Sequence, residues 1–285
     1  MNRFFAVFLY FTLLNGFAQL TPDQVIAKYD EMVKSQPLKL PETQKTAYQQ
    51  LLLRSFIEKS EIEFCHPKYS SFIPNSDVEA TWQEIFSKFH LIDLDDDGDL
   101  DLIFSGKLCE HHAQEYLMIF TCEYNSNYTL SLFTEGKPIV LNENNEFVCV
   151  ASDYEETTEN TIKVFQFKED RIEEKFQVKH YDPFPLIKAN KKIRIGKSRI
   201  PQNLSKINEC ELGPGTITYI APIESMMENS EKNKVILNKF HQAHKVNVYF
   251  TFIDSFKQEW NYISYTAENN PNLIVLAWVK SDLCD

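Results

Sequence analysis

The chain has 285 residues, of which 43% are hydrophobic and 25% charged, and its formal net charge is −12. The excess of acidic side chains argues against nucleic acid and against an anionic membrane surface as partners, because both would repel the protein. The length is sufficient for two domains of ordinary size, and the charge fits a cation-binding protein.

The first 18 residues predict a secretory signal peptide. Arg3 supplies a basic start, residues 4–14 form an apolar run, and Ala18 is a small residue at the expected cleavage position. The run is too short to cross a bilayer, which takes about 20 residues, and no later segment is apolar enough to cross one. We therefore expect a protein that is cleaved near Ala18, exported to the periplasm or the extracellular space, and not embedded in a membrane.

Residues 19–88 are predicted to form an N-terminal helical segment. Thr21 and the proline that follows it are typical of an N-cap and a first helical position. A second helix is predicted from Pro41. A third begins at the capping box of residues 76–79 and continues to Phe89. Apolar residues recur at roughly helical spacing after each start, which predicts a buried face on each helix.

The segment from Asp93 to Asp101 places six acidic residues around one glycine. Side-chain oxygens at positions 1, 3 and 5, a glycine at position 6 and a backbone carbonyl at position 7 follow the pattern of a calcium loop. An EF-hand has a bidentate glutamate at position 12 and helices on both sides, whereas position 12 is Phe104 here and both flanks are typical of strands. The pattern therefore predicts a calcium site in a β-hairpin and not an EF-hand.

The pattern D-x-D-x-D-G-x-x-D with a following apolar strand, at residues 89–105, resembles the FG-GAP or VCBS repeat. In that repeat the loop joins two strands of a propeller blade and holds one calcium ion. The resemblance implies four side-chain ligands and one backbone carbonyl ligand: Asp93, Asp95, Asp97 and Asp101 through side chains, and Asp99 through its carbonyl. An oxygen cage whose ligands are all used suits a structural metal. Because the chain has one such loop, we expect an open meander or partial propeller.

Residues 89–182 are predicted to be a β-meander, because short β-rich runs alternate with turn signals and short connections favour antiparallel neighbours. The predicted strands are 91–93, 102–105, 116–124, 129–134, 147–151, 161–167 and 175–180. Two prolines in the segment 181–185 mark the expected domain boundary.

Residues 186–285 are predicted to form a second β-rich domain with an insertion at 221–245, whose polar segment 224–244 is compatible with a helix. The predicted strands are 192–195, 216–220, 246–253, 260–265 and 274–279. The segments beginning at Trp260 and Leu276 resemble the closing strands of a bacterial SH3-like domain. The resemblance implies a small β-barrel of the kind that exported proteins use to bind wall polymers or peptide segments. Ordinary core packing is the alternative for Trp260 and Trp278.

Six cysteines in an exported chain predict up to three disulfides. We expect Cys210 to pair with Cys284, because both lie in the C-terminal segment, and Cys122 to pair with Cys149 from a neighbouring strand. Buried free thiols are the alternative.

Other candidate sites have simpler explanations. The Cys-Glu-His-His segment 109–112 lacks a clear second arm for zinc, and His241 and His244 fit the end of a helix. The sequence has no G-x-S-x-G elbow, H-E-x-x-H helix or phosphate-binding glycine loop. We therefore assign no catalytic residue and no cofactor other than Ca²⁺.

These observations predict an α+β protein that is mainly β, with N-terminal helices, an antiparallel β-meander around the calcium loop and an SH3-like barrel. The predicted function is that of an exported, calcium-binding, non-catalytic binding or scaffold protein with a polymer or protein ligand at the cell surface. The alternative is a cell-wall hydrolase with an SH3-like targeting domain, which needs two carboxylates or a Cys/His pair in a cleft. A third hypothesis is an inhibitor or immunity-type protein.

Overall fold

A computed structural model describes eleven stretches of the chain: residues 20–59, 82–95, 97–108, 114–123, 127–141, 146–153, 158–168, 171–182, 204–222, 236–254 and 257–284. Within these residues the protein is mainly β with few helices. The predicted capping box at 76–79, the predicted strand 192–195, Cys65 and the segment 109–112 lie outside the described residues.

Three helices precede the strands: α1 (Pro22–Ala27), α2 (Tyr29–Lys34) and α3 (Ala47–Lys59), and residues 82–87 are also helical. The predicted N-cap at Thr21 is confirmed, since its hydroxyl accepts a hydrogen bond from the backbone of Gln24. The predicted start of the second helix at Pro41 is wrong. A reciprocal pair of backbone–side-chain bonds between Thr46 and Gln49 starts α3 instead.

The described residues contain fourteen strands. They are β1 (Phe89–Ile92), β2 (Asp101–Gly106), β3 (Tyr116–Glu123), β4 (Asn127–Glu135), β5 (Lys137–Leu141), β6 (Glu146–Asp153), β7 (Thr158–Lys168), β8 (Arg171–Asp182), β9 (Asn208–Leu212), β10 (Ile217–Tyr219), β11 (Ile236–Lys239), β12 (His244–Ile253), β13 (Glu259–Ala267) and β14 (Asn270–Lys280). Phe89, expected at the end of a helix, belongs to β1.

The strands form two sheets. The smaller sheet has the order β1-β2-β3-β4, and the larger follows β5-β6-β7-β8-β14-β13-β12-β9, with β10 pairing with β11 and β14. All pairings are antiparallel except that of β8 with β14. The larger sheet therefore contains strands from both sides of the boundary expected at 181–185, of which residues 183–185 lie outside the described residues.

The C-terminal strands differ from the expected small barrel. Strands β12, β13 and β14 form an antiparallel meander, and β14 pairs in parallel with β8 from the preceding region as well as with β10. Among the described residues, neither sheet is closed into a barrel. The segment expected to be helix-compatible also ends in strand, because β11 pairs with β10 and β12 begins at His244.

The core is layered. One face of the smaller sheet packs against α3 and residues 82–87, and its other face packs against β6 and β7 of the larger sheet. On the opposite face of the larger sheet lie α1 and α2, which bury Val25 and Ile26 against Val178 and Leu276. Each fully buried side chain of this size contributes roughly 1.5–3 kcal/mol through the hydrophobic effect. The hairpin β1–β2 thus lies on a well-packed layer.

One predicted disulfide is present in the structure. Cys210 in β9 and Cys284 after β14 are joined, with their Cα atoms 5.4 Å apart. The predicted Cys122–Cys149 bond is wrong: Cys122 lies in the smaller sheet and Cys149 in the larger one.

The chain passes from the smaller sheet to the larger one at Gly136, between β4 and β5. The φ angle of Gly136 is +119°, and a Cβ at this position would meet the carbonyl oxygen of Val150 at 2.6 Å, so the position requires glycine.

Candidate metal centre

The acidic loop is the turn of the β1–β2 hairpin. Strand pairing ends at Ile92 and Asp101, and the neighbouring pair Leu91 and Leu102 is buried against the helices. Gly98 has φ +95°, a conformation that glycine adopts without strain. The prediction that strands flank the loop is confirmed, which removes the helix–loop–helix geometry of an EF-hand.

Three of the five predicted ligands come together. Asp93, Asp95 and Asp97 each offer one carboxylate oxygen, and these oxygens all lie within 4.8 Å of one another. Among the described residues, this is the one group of three or more acids, histidines or cysteines with that spacing. A divalent cation placed among these oxygens would offset two of the three negative charges at short range.

Two atoms of this cluster lack an ordinary partner. In the described part of the chain, Oδ1 of Asp93 and Oδ1 of Asp95 are shielded from solvent and have no hydrogen-bond partner. Burial raises the pKa of Asp95, and the charges of Asp97 and Asp93 raise it further. Both effects penalise the ionised carboxylate. The loop therefore gathers three carboxylates, and two of their oxygens, Oδ1 of Asp93 and Oδ1 of Asp95, are shielded without a donor among the described residues.

Backbone amides fix the rest of the loop. The amide of Gly98 donates to Oδ2 of Asp93 at 3.2 Å, and the amide of Asp99 donates to Oδ1 of Asp97 at 2.8 Å. These bonds are typical of acidic turn residues that cap their own backbone. The side chain of Asp99 is exposed and does not belong to the cluster. Its expected role, through the carbonyl, stays a prediction.

Asp101 occupies a different position. Its side chain is 2% exposed, Oδ2 accepts from the amide of Leu94 at 3.0 Å, and Oδ1 accepts from the amide of Cys122 at 2.9 Å. Burial raises its pKa, and these two amides partly offset the effect. Asp101 therefore joins the loop to β3, and its carboxylate is not part of the close cluster. Sequence reasoning missed this contact because Cys122 lies 21 residues away.

The donor set indicates the class of metal. The cluster offers carboxylate oxygens alone, without sulfur or imidazole nitrogen, and hard cations such as Ca²⁺ and Mg²⁺ prefer such ligands. The orphaned oxygens of Asp93 and Asp95 fit a cation of this class, since binding it would give both atoms the partner they lack.

The other predicted candidates have structural roles where they are described. The His244 ring stacks on Phe240 at 4.7 Å, which accounts for its position without a metal. Trp260 and Trp278 are buried in the core, as the packing alternative expected. None of these residues joins the metal cluster.

Comparisons of the chain with family models, with curated proteins and with solved structures found no match. Across the described stretches, no helix is both long enough and apolar enough to span a membrane. The interpretation of the site therefore rests on its own geometry.

Proposed function

We propose that this is an exported, calcium-binding protein with a non-catalytic binding or scaffold role, in which Ca²⁺ is structural. One observation carries the proposal: Asp93, Asp95 and Asp97 converge within 4.8 Å, and two of their oxygens are shielded without a hydrogen-bond partner. Such an arrangement costs free energy unless a cation compensates it. We identify the cation as Ca²⁺ from the loop pattern.

A structural role follows from where the loop lies. It closes the hairpin β1–β2, and β2 continues into the buried residues Leu102 and Phe104 of the smaller sheet. A cation that binds the folded loop and not the unfolded chain stabilises the fold by mass action, by about 2.7 kcal/mol when its concentration is 100 times the dissociation constant. We therefore expect Ca²⁺ to stabilise the smaller sheet and the helices packed on it.

The roles of the predicted ligands then divide. Asp93, Asp95 and Asp97 would hold the ion through their side chains. Because both oxygens of Asp101 already accept backbone amides, the geometry favours a bracing role for Asp101, which holds the loop against β3, over direct ligation. Ligation by Asp101 and Asp99, which the FG-GAP resemblance implies, remains the competing assignment.

The relationships inferred from sequence belong to the same proposal. Antiparallel pairing of β1 with β2 supports the FG-GAP-like assignment, and the meander β12–β13–β14 supports the SH3-like one. The Cys210–Cys284 bond supports export, because disulfides persist in oxidising compartments. The ligand expected on these grounds is a polymer or protein at the cell surface.

A thermal melt tests the metal. Residues 19–285 are purified, freed of metal with EDTA and melted with EDTA, excess Ca²⁺ or excess Mg²⁺. We expect Ca²⁺ to raise Tm by several degrees, about 2–4 °C for each kcal/mol, and Mg²⁺ to raise it less because Mg²⁺ dehydrates reluctantly. The matched control carries Asp93→Asn, Asp95→Asn and Asp97→Asn together. An unchanged melt of the wild-type protein in Ca²⁺ would overturn the proposal.

The binding role has a separate test. The protein is incubated with cell-wall material, and both the bound protein and the soluble wall fragments are measured. Retention without release of fragments supports a binding role. Release of fragments supports the cell-wall hydrolase.

A further inference from the structure

The segment of residues 20–34, here called the cover segment, lies on the outer face of the larger sheet. Helices α1 and α2 have six residues each, which is too short for a stable isolated helix in water. Their order comes from apolar residues buried against the sheet: Leu20, Val25, Ile26, Tyr29 and Met32.

Two buried polar side chains lie beneath this segment. His180 in β8 is 8% exposed and Tyr262 in β13 is 1% exposed, with their ring centres 6.0 Å apart. The ring of Tyr29 meets His180 edge-on at 5.5 Å. Within the described residues, Nε2 of His180 and the hydroxyl of Tyr262 have no hydrogen-bond partner. Buried polar atoms in native proteins are nearly always bonded, so such a pair needs an explanation.

The charges around His180 set its response to acid. From α2, the Asp30 carboxylate lies close enough to affect the charge of His180, and the Tyr29 ring contacts its imidazole. Tyr262 on β13 faces the same pocket, and Tyr249 on β12 interacts electrostatically with Tyr262. Burial lowers the pKa of His180 to about 4, and the opposing effect of the Asp30 carboxylate is smaller. The imidazole is therefore neutral in the closed structure at pH 7.

Among the described residues, hydrogen bonds at both ends of the cover segment attach it to the sheet. The amide of Leu20 donates to the buried carboxylate of Glu146 at 3.0 Å, and Glu146 is also paired with Lys175. The hydroxyl of Tyr29 donates to the carbonyl of Asn160 at 2.7 Å. Lys137 donates to the carbonyl of Ser35 at 3.0 Å, just beyond α2.

The strand that carries His180 is held much more firmly. Strand β8 pairs along its length with β7 and along four residues with β14. A cleft of about 280 Å³ runs along the edge of α1, between Asp23 and Ser264. Lifting the cover segment therefore breaks far fewer contacts than opening the sheet, and solvent already reaches its edge.

We propose that residues 20–34 form an acid-released cover: protonation of His180 favours a state in which this segment leaves the sheet and exposes His180, Tyr262 and the surrounding apolar face. The open state binds more protons than the closed state between pH 6.5 and about pH 4. The closed state is thus stable above pH 6.5 and loses population relative to the open state as pH falls, by up to about 300-fold over this window.

Hydrogen exchange at different pH values tests this. Full-length exported protein, residues 19–285, is examined by mass spectrometry between pH 7 and 4.5 with correction for the intrinsic pH dependence of exchange. We expect protection of residues 22–34 to fall roughly tenfold per pH unit below pH 6, while β7, β8 and β13 keep theirs. Loss of protection in the cover and the strands together would overturn the proposal, because it would indicate global unfolding.

Substitutions at His180 test whether protonation of this residue causes the loss of protection in the cover segment. His180→Gln and His180→Phe remove the titrating group, one with a polar and one with an apolar replacement, and either should flatten the pH profile of residues 22–34. His244→Gln, which changes a histidine stacked on Phe240, should leave the profile unchanged. Acid release that persists in the His180 variants would assign the effect to another titratable group, such as Glu146 or Asp30, and contradict the proposal. If neither variant folds, the wild-type His180 imidazole NMR signal must titrate in parallel with exchange of the cover, and a failure to do so is equally contradictory.

Discussion

Two regions of this molecule bury polar atoms without hydrogen-bond partners among the described residues, and they do so with opposite consequences. In the acidic loop the atoms belong to the carboxylates of Asp93 and Asp95 at the tip of a hairpin. Under the cover segment they belong to His180 and Tyr262 beneath two helices. A cation that bound the loop would give the first pair the partner that it lacks. A proton that reaches His180 destabilises the closed state of the second.

The difference comes from charge and access. The loop concentrates negative charge beside the exposed Asp97, so a divalent ion would have access to it from solvent. The His180 pocket is neutral and enclosed on a central strand, so charging it is unfavourable while the cover is in place. We therefore interpret the unpartnered atoms of the loop as part of a binding site open to a ligand, and those of the His180 pocket as part of the proposed acid-released cover.

The largest expected effect is the loss of Ca²⁺ affinity when one of the converging aspartates of the loop is replaced. Asp95→Asn removes one of the three converging charges, and we expect it to weaken Ca²⁺ binding by about 100-fold, within the range over which ligand charge tunes calcium affinity. Titration calorimetry measures the change. Asp99→Asn is the matched control, because it removes the same charge from an exposed side chain of the same loop and keeps the carbonyl. Equal losses in both variants would indicate a diffuse acidic surface instead of a site.

A smaller effect on Ca²⁺ affinity is expected at Asp101, and it tests whether this residue binds the ion directly or only holds the loop in place. Asp101→Asn replaces one of the two oxygens that hold Leu94 and Cys122, and we expect about tenfold weaker binding, since residues that position ligands typically contribute 10–100-fold. Tb³⁺ substituted for Ca²⁺ reports its bound waters through luminescence lifetimes in H₂O and D₂O. The count should be unchanged in Asp101→Asn and higher in Asp95→Asn. A higher count in both variants would make Asp101 a direct ligand.

The His180 pocket can also be tested at neutral pH, with two tyrosine substitutions that are expected to change the stability of the protein in opposite directions. Tyr262→Phe removes a hydroxyl that lacks a partner, and we expect it to stabilise the protein by about 1 kcal/mol. Tyr249→Phe removes a hydroxyl that bonds Ser264 at 3.0 Å, and we expect it to destabilise the protein by about 1 kcal/mol. Denaturant unfolding measures both. Destabilisation by Tyr262→Phe would show that the hydroxyl has a partner, such as a buried water.

Features encoded by neighbouring residues were predictable from the sequence. The converging residues Asp93, Asp95 and Asp97 lie within five positions of the sequence, and runs of β-branched and aromatic residues mark β12 and β13. Strand β5 was missed because it contains Pro138, which edge strands tolerate. Strand β11 was missed because its four residues face solvent wholly or in part.

Features that depend on distant contacts were not predictable. The bracing of Asp101 requires β3 to lie beside the loop, and the pocket of His180 requires α2 to pack across β8 and β13. The parallel pairing of β8 with β14 joins residues 96 positions apart, such as Gln177 and Leu273. No local pattern specifies such a pairing, and within the described residues the sheet that it extends is not closed into the expected barrel.

The smallest expected effect is the absence of coupling between the two regions. The loop lies at one end of the smaller sheet, and the cover segment packs on the far face of the larger one, with no side chain shared between the two clusters. His180→Gln should therefore change Ca²⁺ affinity by less than about twofold, and Asp95→Asn should leave the acid profile of residues 22–34 unchanged, as expected for distant, independent sites. Calorimetry and hydrogen exchange on the wild-type protein, the two single variants and the double variant form a double-mutant cycle that measures the coupling. A coupling larger than about 0.5 kcal/mol would mean that the sheets transmit the state of one region to the other, and calcium would then regulate the cover.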